Sequence, residues 1–213
     1  MHYYVESDGR VFVVRRGQAL DLPEDGETPA GARPLAPMAT SVPVTFCSVS
    51  LPEHPRHWPA KDDLASDPHA SALLREAVHA SMPRVVAEGV CLRDDCVLLV
   101  RGSRGLNEGR WSLPGGFLRF GETPAEGVLR EVEEEVGAPA RLLGLLDLKG
   151  KQGPKSRLQW VMAFYRVELD GEPHPDPDEI AEARFVPLRE ARNLVSDNLI
   201  REALASLSQT ASL

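Results

Sequence analysis

The chain has 213 residues, of which 42% are hydrophobic, and its formal net charge at pH 7 is −8. This is enough material for one domain of about 130 residues and a smaller companion region. The acidic balance argues against a nucleic-acid backbone as the main partner, and no apolar run approaches the roughly 18 residues of a membrane span.

Residues 1–82 are predicted to form a small β-containing, proline-rich N-terminal region. Apolar segments at 3–5 and 11–14 flank the turn sequence Ser7-Asp8-Gly9, which predicts a β-hairpin. Residues 23–60 contain eight prolines and are predicted to be extended or irregular, with one further strand at 42–49. Helical spacing predicts a helix at 69–81. We expect this region to be a dimerisation or substrate-covering element; the alternative is a cap over an exposed sheet edge.

Residues 83–213 carry a denser apolar pattern, typical of a mixed α/β domain. Segments 85–92 and 96–101 predict a hairpin around Asp94-Asp95. A loop at 102–109 leads to Trp111-Ser112-Leu113. Further strands are predicted at 142–148, 158–169 and 183–186, with closing helices at 188–195 and 197–207. The second closing helix is predicted to be capped by Ser196 or Asp197.

The best-defined predicted helix lies between Thr123 and Gly137. Thr123-Pro124-Ala125-Glu126 is a capping box with proline at the first helical position, and Gly137 is a natural helix-ending residue. The apolar residues between them repeat at helical spacing and predict one buried stripe. Gly127 interrupts this helix at a cost of about 1 kcal/mol relative to alanine, which indicates that something packs close to it.

The same helix carries Glu131, Glu134 and Glu135 on consecutive turns. Carboxylates at i, i+3 and i+4 are neighbours on a helix surface and repel one another. Hard divalent cations such as Mg²⁺ take carboxylate oxygens together with substrate phosphates, so the spacing indicates metal-assisted chemistry at phosphorus. A solvated acidic face on an ordinary amphipathic helix is the alternative.

The window from Gly116 to Ala138 matches the pattern G-x(5)-E-x(7)-R-E-U-x-E-E-x-G-U, where U is aliphatic. The matching positions are Gly116, Glu122, Arg130, Glu131, Val132, Glu134, Glu135 and Gly137. Ala138 departs from the pattern because the last position usually holds a larger aliphatic side chain, which affects packing rather than chemistry. The chain therefore resembles the Nudix hydrolases over about residues 83–207. The resemblance implies an α/β fold, a Nudix-type α/β/α sandwich with a mixed sheet.

The resemblance also implies hydrolysis of a nucleoside diphosphate linked to another moiety, with Mg²⁺ or Mn²⁺ as cofactor. When the roles of the family's residues are carried over to this sequence, Glu131, Glu134 and Glu135 are metal ligands. The main-chain carbonyl of Gly115 is a further ligand. Family members differ over whether the first of these glutamates, here Glu131, is the base. Arg130 is expected to orient Glu131 or Glu134, so Glu131, Glu134 and Arg130 form the predicted catalytic set. Glu122 is expected to be either a ligand or an anchor of the loop.

Family members often add an acidic residue from a later loop, and Glu179, six residues before Phe185, is our candidate for this ligand or base. A solvated acidic turn is the alternative for that segment. Arg101, Arg104, Arg110 and Trp111 are predicted to bind substrate. Further basic residues are Lys149, Lys151, Lys155 and Arg157, each of which could equally be an ordinary surface charge.

The substrate prediction is a nucleoside-diphosphate sugar such as ADP-ribose. Its support is Pro154, which lies 16 residues beyond Ala138, as in ADP-ribose pyrophosphatases. The four-cysteine zinc ribbon of NADH pyrophosphatases is missing. The alternatives are a nucleoside triphosphate pyrophosphohydrolase, including oxidised nucleotides, and a non-catalytic nucleotide sensor. Sensors of this family typically lose the box carboxylates, which are intact here.

The three cysteines, Cys47, Cys91 and Cys96, indicate neither a disulfide framework nor a zinc site, because they are odd in number and lack a Cys-x-x-Cys spacing. The N-terminal sequence is polar and charged, unlike a signal peptide. We therefore expect a cytoplasmic protein, possibly a homodimer, that acts on a small-molecule nucleotide and binds neither nucleic acid nor membrane.

Overall fold

The structure is a computed structural model that describes residues 1–152 and 158–210. The chain divides into two compact units, Met1–Pro83 with Lys151–Gln159, and Arg84–Gly150 with Trp160–Leu213. Each unit has its own hydrophobic core. Within the described residues, every helix is too short or too polar to cross a membrane.

The first unit is built mainly from strands. The strands are β1 (His2–Ser7), β2 (Arg10–Phe12), β3 (Val14–Arg16), β4 (Ala19–Asp21), β5 (Arg33–Pro37) and β6 (Val44–Ser48). The sheet order is β2-β1-β6-β5, in which β1 and β6 are parallel, and β3 and β4 form a separate ribbon. The predicted hairpin is confirmed, since β1 and β2 pair across a turn in which Asp8 and Gly9 have φ of 50° and 70°. The predicted strand at 42–49 is β6.

Two helices, α1 (Lys61–Leu64) and α2 (Ala72–Ser81), complete the first unit. The predicted helix at 69–81 corresponds to α2, which is capped by the hydroxyl of Ser71 accepting from the backbone N–H of Leu74. Its buried side chains belong to a core that also contains Tyr4, Val11 and Val44 of the sheet, together with Leu22. The sequence did not predict α1, β3, β4 or β5, which are short elements of three to five residues.

The second unit contains seven strands and three α-helices among its described residues. The strands are β7 (Arg84–Arg93), β8 (Cys96–Gly102), β9 (Trp111–Ser112), β10 (Gly115–Phe117), β11 (Ala140–Gln152), β12 (Gln159–Leu169) and β13 (Ile180–Pro187). The helices are α3 (Pro124–Val136), α4 (Leu188–Leu194) and α5 (Asn198–Thr210), and a 3₁₀ turn spans Gly105–Asn107. All the strands and helices predicted beyond residue 83 are present, whereas β9, β10 and the 3₁₀ turn were not predicted.

The sheet of the second unit is mixed, with order β11-β12-β7-β8-β13. β12 and β7 are parallel, whereas β7 with β8 and β8 with β13 are antiparallel. β10 pairs with β7 and β9 with β8. The side chains of α3 pack on one face of this sheet, and those of α4 and α5 pack on the other. The predicted α/β/α sandwich with a mixed sheet is confirmed.

Helix α3 begins and ends where the sequence predicts. The Thr123 hydroxyl accepts from the backbone N–H of Glu126, and the Glu126 carboxylate accepts in turn from the backbone N–H of Thr123. Gly137 ends the helix in the left-handed conformation with φ of 69°. Val128, Val132 and Val136 are fully buried against the sheet, and Glu131, Glu134 and Glu135 lie on an arc of the helix beside this stripe.

Candidate active site

Strand β10 carries Gly115 and Gly116, and it places both glycines against the carboxylates of helix α3. A Cβ built on Gly116 would lie 2.6 Å from the carboxyl carbon of Glu131, so only glycine lets this carboxylate approach the backbone. The backbone N–H of Gly115 donates to Oε2 of Glu135 at 2.9 Å. Two of the three predicted metal-binding glutamates therefore lie on the Gly115-Gly116 backbone, beside the carbonyl predicted as a further ligand.

The guanidinium of Arg130 connects Glu131 to Glu134. Its Nη1 donates to Oε1 of Glu131 at 2.7 Å and to Oε2 of Glu134 at 3.0 Å, and its Nη2 donates to the carbonyl of Phe117 at 3.1 Å. The structure thus brings Arg130 to both glutamates that it was expected to orient. Hydrogen bonds to Glu122, and to a lesser extent to Glu131 and Glu134, raise the pKa of Arg130, which stays protonated.

Glu122 lies on the other side of the same guanidinium. It accepts from Nε and Nη2 of Arg130 at 2.7 and 2.9 Å and from the backbone N–H of Arg119 at 2.8 Å. The Arg130 guanidinium, together with the Arg119 amide, lowers the pKa of Glu122 to about 2. With both oxygens engaged, Glu122 anchors the loop that leads into α3. Gly127 faces the same loop, since a Cβ there would lie 2.5 Å from the Leu118 side chain.

Glu135 is the most perturbed carboxyl group of the cluster. Burial raises its pKa to about 8, and the nearby charges of Glu131, Glu179 and Glu134 act in the same direction, while the Gly115 amide opposes them. Several carboxylates thus share one partly enclosed region, and the charges of the others disfavour ionisation of Glu135. Hard oxygen donors in this arrangement suit a divalent cation, whose charge would relieve the repulsion.

The carboxylates do not form a closed cage in this conformation. Across residues 1–152 and 158–210, no three histidine, cysteine, aspartate or glutamate side chains are grouped closely enough to hold a metal ion. Arg130 holds Glu131 and Glu134, and Arg119 Nη2 also donates to Oε1 of Glu134 at 2.8 Å. Coordination of one ion by all three box glutamates would require Glu134 to exchange some of these contacts.

Glu179 lies just before β13, within electrostatic range of Glu135. Its carbonyl accepts from the backbone N–H of Ser103 at 2.9 Å, and its carboxylate pairs with Nη2 of Arg104 at 3.3 Å. The loop after β8 and the acidic turn before β13 are therefore joined at this point. The structure brings Glu179 and Arg104 together beside the cluster, although they are 75 residues apart in the chain.

Arg101 and Trp111 are neighbours on paired strands. Arg101 donates through Nη2 to Glu182 at 3.0 Å, and its guanidinium carbon lies 5.6 Å from the Trp111 ring centroid. Arg184 approaches the same ring at 4.9 Å and pairs with Glu182 at 3.3 Å. Two guanidinium groups and one carboxylate therefore surround this indole, so the positive charge of Arg101 is partly neutralised.

The other basic candidates are dispersed. Arg110 is exposed in the loop before β9. Lys149 pairs with Asp147 at 3.1 Å and with Glu202 of α5 at 3.7 Å, and Lys151 belongs to the first unit. Lys155, Arg157 and Pro154 lie outside the described residues.

Sequence reasoning missed two residues near this site. Glu88 is 5% exposed in the middle of β7, and its Oε2 would lie 3.0 Å from a Cβ built on Gly115. The available signal was a glutamate within an otherwise apolar strand, because charged residues are seldom fully buried without a reason. The second is Arg119, whose contact with Glu134 depends on the path of the loop and leaves no trace in local spacing.

Comparisons with known proteins agree with this geometry. A sequence model of the NUDIX domain matches residues 82–207. An ADP-ribose pyrophosphatase from Methanocaldococcus jannaschii is 28% identical over 116 residues, which cover 54% of this chain and 69% of that protein. The putative ADP-ribose pyrophosphatase YjhB from Bacillus subtilis is 33% identical over 123 residues, 54% of this chain and 58% of that protein. The chain thus spans little more than half the length of the second relative.

Among solved structures, a MutT NUDIX hydrolase from Burkholderia pseudomallei superimposes with a TM-score of 0.50 at 28% identity. The superposition covers 58% of this chain and 97% of that one. The similarity to known proteins is therefore concentrated in the part of the chain that carries the carboxylate cluster.

Proposed function

Because the chain belongs to the Nudix hydrolase family, we propose that it is a divalent-metal-dependent hydrolase of nucleoside-diphosphate sugars, with ADP-ribose as the leading substrate. The observation that carries the proposal is the convergence of Glu131 and Glu135 on the Gly115-Gly116 backbone, with Arg130 holding Glu131 and Glu134. Sensors of this family typically lose the box carboxylates, whereas Glu131, Glu134 and Glu135 are all present here. Their retention supports catalysis.

The reaction requires that a water oxygen attack one phosphorus of the diphosphate while the bridging P–O bond breaks. The attacking water gives its proton to a carboxylate of the site, for which Glu131, Glu134 and Glu179 are the candidates. The bridging oxygen leaves with the other phosphate, so that ADP-ribose yields AMP and ribose 5-phosphate. Bound Mg²⁺ or Mn²⁺ supplies the charge that neutralises the phosphoryl oxygens as this happens.

The residues of this chain have distinct tasks in that reaction. Glu131, Glu134, Glu135 and the carbonyl of Gly115 would hold the ion, with Glu122 as a further candidate. Arg130 would orient Glu131 and Glu134, because its guanidinium donates a charge-assisted hydrogen bond to each of them. Arg101, Arg104, Arg110 and Trp111 are the proposed substrate contacts.

The choice of ADP-ribose rests on the two relatives named as ADP-ribose pyrophosphatases. Hydrolysis of nucleoside triphosphates is the second candidate, because these compounds carry the same kind of phosphoanhydride bond. The two differ in where the scissile phosphoanhydride lies, so their products distinguish them. ADP-ribose hydrolysis releases AMP, whereas a triphosphate pyrophosphohydrolase releases pyrophosphate.

The test is a substrate panel with Mg²⁺ and with Mn²⁺, containing ADP-ribose, NADH, diadenosine polyphosphates, coenzyme A and nucleoside triphosphates. Glu134→Gln serves as the inactive variant, and Glu133→Gln, at an exposed position of the same helix, serves as the matched control. We expect metal-dependent turnover of ADP-ribose that survives in the control and is lost in Glu134→Gln. Binding of a nucleotide without turnover of any compound would replace this proposal with the sensor function.

A further inference from the structure

Strand β11 is an edge strand of the sheet in the second unit. Among the described residues, no strand pairs with the outer side of residues 140–148, so its outward N–H and C=O groups are open to pairing. The backbone N–H of Leu148 donates instead to Oδ1 of the neighbouring Asp147 at 2.8 Å. Edge strands are usually short or contain proline, whereas β11 has 13 residues and no proline.

The exposed side chains in the middle of this strand are apolar. Nine large hydrophobic side chains are exposed among the described residues, and four of them lie within six positions of β11. They are 40–60% exposed: Leu143, Leu145, Leu146 and Leu148. Since Ala140 and Leu142 pack on the core beneath α3, strand alternation places Leu146 and Leu148 on that face and the other two leucines on the opposite face. A contiguous apolar patch of this kind marks an interaction surface.

The sequence of the strand is complementary to itself when it is reversed. Residues 140–148 read Ala-Arg-Leu-Leu-Gly-Leu-Leu-Asp-Leu, with Gly144 at the centre. In an antiparallel pair of two copies centred on Gly144, each residue lies opposite the one at the same distance on the other side of the centre. Leucine then faces leucine on both sides of the centre, and Arg141 faces Asp147 of the second copy. Directly opposite side chains share a face and are in contact.

Charge distinguishes this register from its neighbours. If the centre moved to Leu145, Arg141 would face Lys149 of the second copy, and if it moved one residue the other way, Arg141 would face a leucine. Opposite charges that face each other stabilise a strand pair, whereas like charges destabilise it. The charges therefore favour Gly144 as the centre, and the two-fold symmetry forms the contact between Arg141 and Asp147 twice.

Both charged groups are accessible to a second chain. The side chain of Arg141 is exposed and pairs with Glu168, and that of Asp147 lies at the surface and pairs with Lys149 at 3.1 Å. A guanidinium has five N–H donors and a carboxylate accepts several hydrogen bonds, so each group can take a further partner. A Cβ built on Gly144 would meet no atom within 4 Å, so the centre has room for a second backbone.

We propose that β11 is the surface through which two copies of this chain form a homodimer, by antiparallel pairing centred on Gly144. The two sheets join into one across an isologous interface. A second copy is the occupant because the reversed strand supplies a leucine for each central leucine and a carboxylate for Arg141. The interface lies within the second unit and requires no nucleotide, so it depends neither on the role predicted for residues 1–82 nor on the proposed function.

The test is sedimentation velocity of the full chain between about 1 and 100 μM, because a strand-sized interface is at the small end of the range for stable complexes. Arg141→Asp places two carboxylates opposite each other in the dimer, and Asp147→Arg places two guanidinium groups opposite each other. An equal mixture of the two variants restores both opposite-charge contacts in the heterodimer. The matched control is Arg93→Asp on β7, which changes the charge equally and also loses an ion pair, with Glu172. Thermal melting checks that each variant is folded.

We expect each single β11 variant to weaken dimerisation by about tenfold or more, and the control to stay within about twofold of wild type. The mixture should dimerise again, close to the wild-type dissociation constant. A wild-type chain that stays monomeric over this range would overturn the inference. A dimer that neither β11 substitution weakens would also overturn it, because the contact would then lie on another surface. Two folded monomeric variants that do not associate when mixed would reject the register, and the inference with it.

Discussion

The carboxyl carbon of Glu131 lies only 2.6 Å from the place where a Cβ on Gly116 would stand. The contact joins a helix residue to a strand residue 15 positions earlier, and it sets the position of a predicted metal ligand. We therefore expect Gly116→Ala to displace Glu131 and to lower turnover by about tenfold or more, with a small change in melting temperature. Steady-state kinetics with ADP-ribose and a thermal melt measure the two effects.

Gly127→Ala is the matched control for that substitution. Its new Cβ would meet the end of the Leu118 side chain at 2.5 Å and Oε2 of Glu122 at 3.2 Å, but it would not touch Glu131, Glu134 or Glu135. Alanine is also favoured over glycine inside a helix by about 1 kcal/mol. Most of the activity should remain. Equal losses in the two variants would show that the contact between Gly116 and Glu131 has no special role.

The ion pair between Glu122 and Arg130 predicts a pH dependence of stability. Hydrogen bonds from Arg130 lower the pKa of Glu122 from its ordinary 4.5 to about 2 in the folded protein. The stability that this carboxylate contributes is therefore fully present above pH 4.5 and is lost as the pH falls towards 2. We expect wild-type protein to melt at a higher temperature than Glu122→Gln at pH 7. The difference between their melting temperatures should become smaller below pH 4.5.

The comparison of melting temperatures needs a carboxylate without such contacts. Glu133 is exposed on α3, so Glu133→Gln should differ from wild type by a small amount that does not follow this pH course. If the difference in melting temperature between wild type and Glu122→Gln stays constant from pH 7 to 2, the ion pair adds nothing to stability.

Glu179 is expected to act in turnover rather than in holding the substrate. Its carboxylate is near Glu135 and paired with Arg104, which suits a group that receives a proton or supports the metal ion. Glu179→Gln should lower kcat by about tenfold or more and change KM much less. Asp178→Asn, at the adjacent exposed position, is the control. An unchanged kcat would remove Glu179 from the mechanism.

The cysteines should differ sharply in their reactivity. Burial raises the pKa of the Cys91 thiol to about 12 and also raises that of Cys47, whereas Cys96 is partly exposed at the start of β8. Because the thiolate is the reactive form, iodoacetamide should modify Cys96 first in the native protein and the other two only in denaturant. Mass spectrometry of the modified peptides measures the order. Early modification of Cys91 would contradict the packing of β7.

Much of helix α3 could be predicted because the residues that begin it, end it and give it its spacing are close together in the sequence. The cap at Thr123, the end at Gly137 and the spacing of Glu131, Glu134 and Glu135 all depend on residues within four positions of one another. The same holds for the turn at Asp94-Asp95 and for the larger strands, whose apolar alternation does not depend on the partner. The family, and with it the sandwich fold, followed from this one window. The role proposed for residues 1–82 stays a prediction.

The short elements and the pairing of charges could not be predicted in this way. β10 has three residues and exists because β7 supplies its hydrogen-bond partners. The sequence assigned Arg101 and Arg104 to substrate binding, yet they are paired with Glu182 and Glu179, which approach through β13. Composition cannot distinguish these paired arginines from an unpaired one, because the distinction depends on neighbours about 75 or more positions away.

The sequence by itself determined helix α3, its carboxylates and the family to which the chain belongs. Only the tertiary structure decided that Glu131 rests on Gly116, that Glu88 is buried beside Gly115, and that Arg84 stacks on Phe117. The physical reason is the separation in sequence over which each interaction acts. Helix capping and periodicity act over a few residues, whereas desolvation, ion pairing and ring stacking depend on which distant segments the sheet brings together.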